Sequence, residues 1–143
     1  MRLSSLLLTV VFTLAIFAGL LLVLGVRFER PLPAQGAALY KPDSEVVVKG
    51  VVQEVREFAC PVNEGEIGSH LMLQTADGIV QVHLVPIRIM RGQKISFVPG
   101  DQIQVLGAKL RFHGQNDLIA REIMRGQETL VFRDRTGAVL MTQ

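Results

Sequence analysis

The stretch Val46-Val-Val-Lys-Gly-Val-Val-Gln-Glu-Val-Arg-Glu-Phe58 decides the fold of this chain. Its apolar residues, most of them valine, recur with a period close to two, which is typical of a β-strand and not of a helix. Gly50 stands inside this run, where a glycine often marks a bulge that lets a long strand bend. We therefore predict one long and bent first strand.

Further strands follow, each bounded by turn residues. They are predicted at residues 70–75, 79–85, 102–112 and 117–124, followed by a final hairpin of residues 129–133 and 138–141. A tight turn at Ala76-Asp-Gly78 joins the second strand to the third, and Gly107 is a second predicted bend. Arg88 to Lys94 is predicted to be an irregular basic connection. This pattern predicts an all-β protein, a five-stranded OB-fold-like barrel with a C-terminal β-hairpin; a small β-sandwich is the competing fold.

An uncharged apolar run precedes the barrel. Leu6–Val26 comprises 21 residues, and about 20 suffice to cross the hydrocarbon of a bilayer. The run is longer than the apolar region of a signal peptide and no small-x-small cleavage site follows it, so we predict an uncleaved transmembrane helix. The predicted organisation is an anchor at residues 1–28, a linker at residues 29–43 and the barrel at residues 44–143.

The short amino-terminal head favours export of the barrel, although a count of Lys and Arg alone favours the opposite orientation. We expect a single-pass protein of a bacterial inner membrane with a periplasmic domain. The lipid bilayer is its predicted partner through Leu6–Val26. Five basic residues are predicted to lie near the membrane: Arg27, Arg30, Arg88, Arg91 and Lys94.

Several functional classes lack support in the sequence. The net charge of +2 is not a nucleic-acid signature, and the single cysteine excludes an intrachain disulfide. The chain has no Gly-rich phosphate loop, no nucleophile elbow and no His-Glu-x-x-His, so we do not predict an enzyme. A polar binding face is predicted at Gln74, Gln81, Lys109, Arg111, Arg121 and Arg125. OB-folds hold oligonucleotides or glycans on such faces, but this one is nearly free of aromatic residues, which argues against nucleic acid as a partner.

Cys60, His70, Met72 and His83 form the most suggestive chemical group. Strand alternation places His70 and Met72 on one face, and a hairpin turn centred on Asp77 would place His83 opposite Met72. A thiolate, a thioether and two imidazoles suit Cu(I), Cu(II) or Zn(II). The competing interpretation is a buried cysteine, a packed methionine and two surface histidines.

From about Val46 to Leu140 the chain resembles small, poorly characterised bacterial OB-fold proteins with an amino-terminal membrane or signal segment. The residues that carry the match are 82–86, 99–107, 118–123 and 130–137. One anchor followed by an exported barrel is also similar in architecture to the haem chaperone of cytochrome c maturation. That family attaches haem through a His followed four residues later by Tyr, and residues 121–135 contain neither.

The leading hypothesis is therefore a non-catalytic, membrane-anchored accessory or assembly subunit that docks to an integral-membrane protein complex and needs no cofactor. The first alternative is a periplasmic carrier of copper or haem that uses Cys60, His70, Met72 and His83. The second is an oligonucleotide- or glycan-binding module.

Overall fold

The structure is a computed structural model that describes residues 9–16 and 35–140. Residues 9–16 are helical (α1) and expose their apolar side chains, among them Phe12 and Leu14. Within the described residues, no helix is long and apolar enough to cross a membrane. The rest of the predicted span Leu6–Val26, with Arg27 and Arg30, lies outside the described residues.

Six strands form a single sheet in which all pairs but one are antiparallel. They are β1 (Glu45–Ala59), β2 (Ile67–Thr75), β3 (Gly78–Pro86), β4 (Gln102–Phe112), β5 (Gln115–Arg125) and β6 (Glu128–Val131). The spatial order is β3-β2-β1-β4-β5-β6, and β3 also pairs with β5 in parallel, at Val82–Leu118 and His83–Ile119. This last pairing closes the first five strands into a barrel, which confirms the predicted all-β OB-fold-like architecture.

The long first strand pairs with two neighbouring strands. Residues 45–51 of β1 pair with β4, and residues 51–59 pair with β2, with a bulge between Val52 and Glu54. Gly50 lies at this transition, where a Cβ atom would come within 2.3 Å of the Gln74 carbonyl oxygen. The second predicted bend is confirmed by a register shift between Leu106 and Gly107.

The connection between β3 and β4 differs from the prediction. Residues Ile87–Gly92 form a short helix, α3, rather than an irregular stretch. Its N-cap is Pro86, and a proline favours a helix start because it fixes φ and needs no amide partner. Ile89 and Met90 are buried in the core, so the apolar side of α3 caps the barrel and does not face outwards.

Apolar side chains form two clusters, one on each side of the β2–β3 wall. The first fills the barrel and contains Leu71, Leu73, Val82 and Leu84. The second lies outside this wall; its buried members are Tyr40, Cys60, Val62, Ala108 and Ile119. Helix α2 (Gln35–Ala38) and the short 3₁₀ helix Pro61–Asn63 accompany this second cluster. Residues 35–40, which belong to the predicted linker, are thus part of a second layer on the barrel.

The chain end is simpler than predicted. The final hairpin reduces to the pairing of β6 with β5 and a single antiparallel bridge between Arg133 and Val139. Gly137 has a φ of 88°, and a Cβ there would lie 2.3 Å from Tyr40 Cβ. The carboxyl-terminal loop therefore packs closely against the second layer.

Candidate metal centre

The histidines of β2 and β3 meet across the strand pair. His70 lies opposite His83, and Met72 lies opposite Gln81. The predicted opposition of His83 and Met72 is wrong by one pairing step, because the turn is centred between Ala76 and Asp77. The two imidazole rings stand edge to face, with centroids 4.8 Å apart.

Cys60 completes a three-residue cluster with these histidines. It directly follows β1 and is the N-cap of the 3₁₀ helix that Pro61 begins. Its Sγ lies 3.2 Å from His70 Nε2, and one ligand atom from each of Cys60, His70 and His83 lies within 4.8 Å of the others. The structure thus brings together three of the four predicted ligands. Met72 is only partly buried and lies opposite Gln81, on the next residue pair of the same face.

Asp117 joins the site from β5, and the sequence analysis missed it. The Nε2 atom of His83 lies 2.9 Å from Asp117 Oδ2, which also accepts a hydrogen bond of 3.0 Å from Gln81 Nε2. A carboxylate only accepts hydrogen bonds, so the proton of neutral His83 resides on Nε2. Its Nδ1 then carries a free lone pair. No local pattern signals Asp117, since the parallel pairing of β3 with β5 places it there.

The cluster is closed to solvent. His70 and His83 are 0% exposed, Cys60 is 2% exposed and Asp117 is 3% exposed. The ring of Phe58 stacks on His70 with centroids 3.6 Å apart, and the Phe112 ring meets His83 edge to face at 5.4 Å. The competing interpretation of two surface histidines is therefore wrong. Both imidazoles are enclosed by the second layer.

Burial keeps the imidazoles neutral. It lowers the pKa of His70 from 6.5 to about 4, and the neighbouring His83 acts in the same direction. Burial also lowers the pKa of His83 and outweighs the opposing effect of the Asp117 carboxylate. The pKa of the Cys60 thiol is raised, again chiefly by burial. Without a bound cation, the cluster is thus a thiol beside two neutral imidazoles.

Unpartnered polar atoms concentrate at this site. Among the described residues, four buried side-chain nitrogen or oxygen atoms have no hydrogen-bond partner: Asn63 Oδ1, His70 Nδ1, His83 Nδ1 and Arg133 Nε. Asn63 contacts Cys60 through Nδ2, 3.8 Å from Sγ, and Arg133 donates a hydrogen bond of 2.8 Å to the carbonyl oxygen of Leu84, the residue after His83. All four atoms therefore belong to the cluster or to its immediate surroundings.

The predicted binding face is divided among separate environments. Gln81 donates a hydrogen bond to Asp117 beside the Cys60–His70–His83 cluster, and Gln74 lines an open groove of about 460 Å³ together with Lys49, Gln104 and Met124. Lys109 and Arg111 are exposed. Arg121 binds Glu45 at 2.8 Å, and Arg125 binds Glu128 at 2.8 Å.

The described members of the predicted membrane-proximal set are all exposed. Arg88 binds Glu66 at 2.7 Å and Arg91 binds Glu57 at 3.4 Å, while Lys94 adopts a positive φ of 55° after α3. These contacts pair the two arginines with carboxylates of the barrel surface.

Fold and site together define a small OB-fold barrel that carries a buried thiol–imidazole cluster on its outer wall. Residues 44–130 match the MamS/MamX magnetosome protein family. The chain belongs to that family, and the match covers the barrel strands from β1 to β6. The chain matches none of the curated proteins compared with it.

Similar solved structures include two of different origin. One is the Stn1–Ten1 complex of S. pombe, with 19% identity, a TM-score of 0.44 and a match over 59% of each chain. The chain therefore spans less than two thirds of that protein. Another is the OBody AM1L10 bound to hen egg-white lysozyme, with 17% identity, a TM-score of 0.43 and coverage of 64% of this chain and 89% of the other.

Proposed function

We propose that this protein is a non-catalytic accessory protein of the magnetosome that binds a thiophilic metal ion through Cys60, His70 and His83. The observation that carries the proposal is the unpartnered Nδ1 atom of His83. Its ring is oriented by a hydrogen bond from Nε2–H to Asp117, the arrangement that commonly orients a metal-ligating histidine. A buried polar atom without a partner costs roughly 1–3 kcal/mol, and a bound cation would satisfy it.

The donor set supports a soft or borderline ion. One thiolate and two neutral imidazoles suit Cu(I), Cu(II) or Zn(II), and none of them is a ligand that Ca²⁺ or Mg²⁺ prefers. In a tetrahedral zinc site, neighbouring ligand atoms lie about 3.5 Å apart, as follows from metal–ligand bonds of roughly 2.0–2.3 Å. The cluster spans at most 4.8 Å, so its side chains need to approach one another by about 1 Å when the ion binds.

The enclosure of the cluster supports binding of a bare ion rather than haem. Phe58 stacks on His70 at 3.6 Å, and His83 meets the same imidazole at 4.8 Å. Side chains thus occupy the space beside His70 that a porphyrin would need.

The same enclosure argues against catalysis. Three protein ligands with an open fourth position are typical of catalytic zinc, but a catalytic ion needs a route for its substrate. Each of the three ligands is at most 2% exposed. An ion held in this position is suited to storage, transfer or stabilisation of the barrel and not to turnover of a substrate.

The accessory role rests on membership of the magnetosome family. We place the protein at a bacterial membrane, where the predicted anchor Leu6–Val26 would hold the barrel beside an integral-membrane complex. The partner, and the side of the membrane that the barrel faces, remain predictions.

Metal titration of the full chain in mild detergent tests the proposal. The protein is stripped with a chelator, kept reduced and titrated anaerobically with Cu(I), Co(II) and Zn(II), with the metal retained after desalting and the thiolate-to-metal absorption as the readouts. We expect one bound equivalent for the wild type and for the control His113→Ala, which removes an exposed histidine of the β4–β5 turn. The double variant Cys60→Ala, His83→Ala should bind at least 100-fold more weakly. Equal binding by that variant, or no binding by the wild type, refutes the proposal.

A further inference from the structure

Arg133 is a buried cation beside the metal centre. It is 1% exposed, and among the ion pairs of the described residues none includes it. Its guanidinium donates hydrogen bonds to the carbonyl oxygens of Leu84, at 2.8 Å, and Gly137, at 3.4 Å. A buried charge that is not paired is strongly disfavoured, so an unpaired arginine at this position calls for a compensating anion.

Cys60 can bind a cation only as a thiolate, and that buried anion would compensate the charge of Arg133. Geometry brings Arg133 to this site, because Leu84, whose carbonyl oxygen it binds, follows His83 on β3, and Gly137, its second acceptor, packs against Tyr40 of the same apolar cluster as Cys60. Burial lowers the pKa of Arg133 only to about 10, so the guanidinium stays charged at neutral pH.

The buried charges define which cation restores neutrality. Apart from the Cys60 thiolate, the buried charged residues of the described chain are Asp117 and Arg133. Two negative charges and one positive charge leave one net negative charge. A monovalent ion neutralises the cluster, whereas a divalent ion leaves a buried excess of positive charge, which a low-dielectric interior disfavours.

We propose that Arg133 makes this site selective for a monovalent thiophilic ion, with Cu(I) as the ligand. The inference rests on the proposed metal-binding function and adds the identity of the ion. The number of ligands agrees with Cu(I), because one thiolate and two imidazoles give three donor atoms, which can satisfy this ion. Zn(II) is almost always four-coordinate in structural sites, and the closed second layer leaves a fourth ligand no route from solvent.

Anaerobic competition experiments on the full chain in detergent test the role of Arg133. Affinities are measured for Cu(I) against a copper(I)-specific chelator and for Zn(II) against a zinc-specific chelator. In Arg133→Met the ratio of Zn(II) to Cu(I) affinity should rise at least tenfold over the wild type. Arg133→Lys, which keeps the charge, and Arg111→Met, which removes an exposed arginine, should leave the ratio within about twofold.

The possible outcomes separate the two proposals. If the wild type binds neither ion, the metal-binding function fails and the inference fails with it. If both ions bind but the ratio is the same in Arg133→Met, only the inference is overturned. If Arg133→Met does not fold, titration of the wild-type protein with Ag(I) and Cd(II) tests the inference instead. Retention of Ag(I) against an equal concentration of free Cd(II) supports the inference, and displacement by Cd(II) overturns it.

Discussion

Acidification should destabilise the metal-free barrel through its buried histidines. In the folded protein, burial lowers the pKa of His70 from 6.5 to about 4, whereas the unfolded chain keeps an ordinary value. Between these two values the unfolded state binds a proton that the folded state excludes. Stability is therefore complete above pH 6.5 and falls as the pH decreases below it.

The magnitude follows from the size of the shift. Each pH unit in this window removes about 1.4 kcal/mol, so His70 alone accounts for a loss of about 2 kcal/mol between pH 7 and pH 5. His83 adds to this loss, since burial lowers its pKa too. The carboxyl groups with lowered pKa values, such as Glu45 and Asp134, lose their stabilising effect only below about pH 4.5. The interval from pH 7 to pH 5 therefore isolates the histidines.

Urea denaturation followed by far-UV circular dichroism, with a chelator present, measures the effect. The wild type and the exposed-histidine control His113→Gln should both lose at least about 2 kcal/mol of unfolding free energy between pH 7 and pH 5. His70→Gln should lose about 2 kcal/mol less over the same interval, whatever its stability at pH 7. A wild-type stability that is flat over this interval would mean that His70 titrates normally, and the enclosed arrangement of the cluster would be wrong.

Three further predictions concern packing and proton release. Gly36→Ala should lower the unfolding free energy by about 1–3 kcal/mol, because its Cβ would lie 2.0 Å from the Val62 carbonyl oxygen. The control is Gly92→Ala, where a Cβ meets nothing within 4 Å. Equal melting temperatures of the two variants would contradict the packing of α2. Phe132→Ala should cost about 3–5 kcal/mol, since Phe132 is fully buried in the barrel core; a loss below about 1 kcal/mol in urea denaturation would exclude that placement. Metal affinity should rise about tenfold per pH unit between about pH 6 and pH 8, because the Cys60 thiol releases one proton when the metal binds. Isothermal titration at several pH values measures this affinity. An affinity that does not change with pH would remove Cys60 from the ligand set.

The barrel could be predicted because its determinants are local. The period of two, the glycine bends at Gly50 and Gly107 and the tight turn before Gly78 each act within a few residues of sequence, and each has its counterpart in the structure. The α3 helix escaped prediction because six residues are too few for a helical period to emerge. Its burial depends on contacts of Ile89 and Met90 with the barrel core, and these tertiary contacts leave no local pattern in the sequence.

The cluster of Cys60, His70 and His83 could be predicted only in part. Alternation along β2, together with a hairpin turn, was enough to place His70 and His83 on one face. It could not show that the face is covered, because the cover comes from residues 35–40 and from the 3₁₀ helix after Cys60. Asp117 and Arg133 reach the site through β3–β5 pairing and through the carboxyl-terminal loop. Both are long-range features of the closed barrel, for which no local pattern exists.

The polarity of the second layer is the strongest argument for a ligand. A layer that served only to cover the β2–β3 wall would be more stable with apolar side chains, since replacing both partners of a buried polar pair by apolar groups is often neutral or stabilising. Instead, a thiol, two imidazoles, a carboxylate and a guanidinium are enclosed there, and four of the surrounding polar atoms lack a partner. Local departures from the rules of good packing are expected at functional sites. A cation bound between Cys60, His70 and His83 would satisfy the imidazole nitrogen, and the Cys60 thiolate that such binding requires would balance the guanidinium charge.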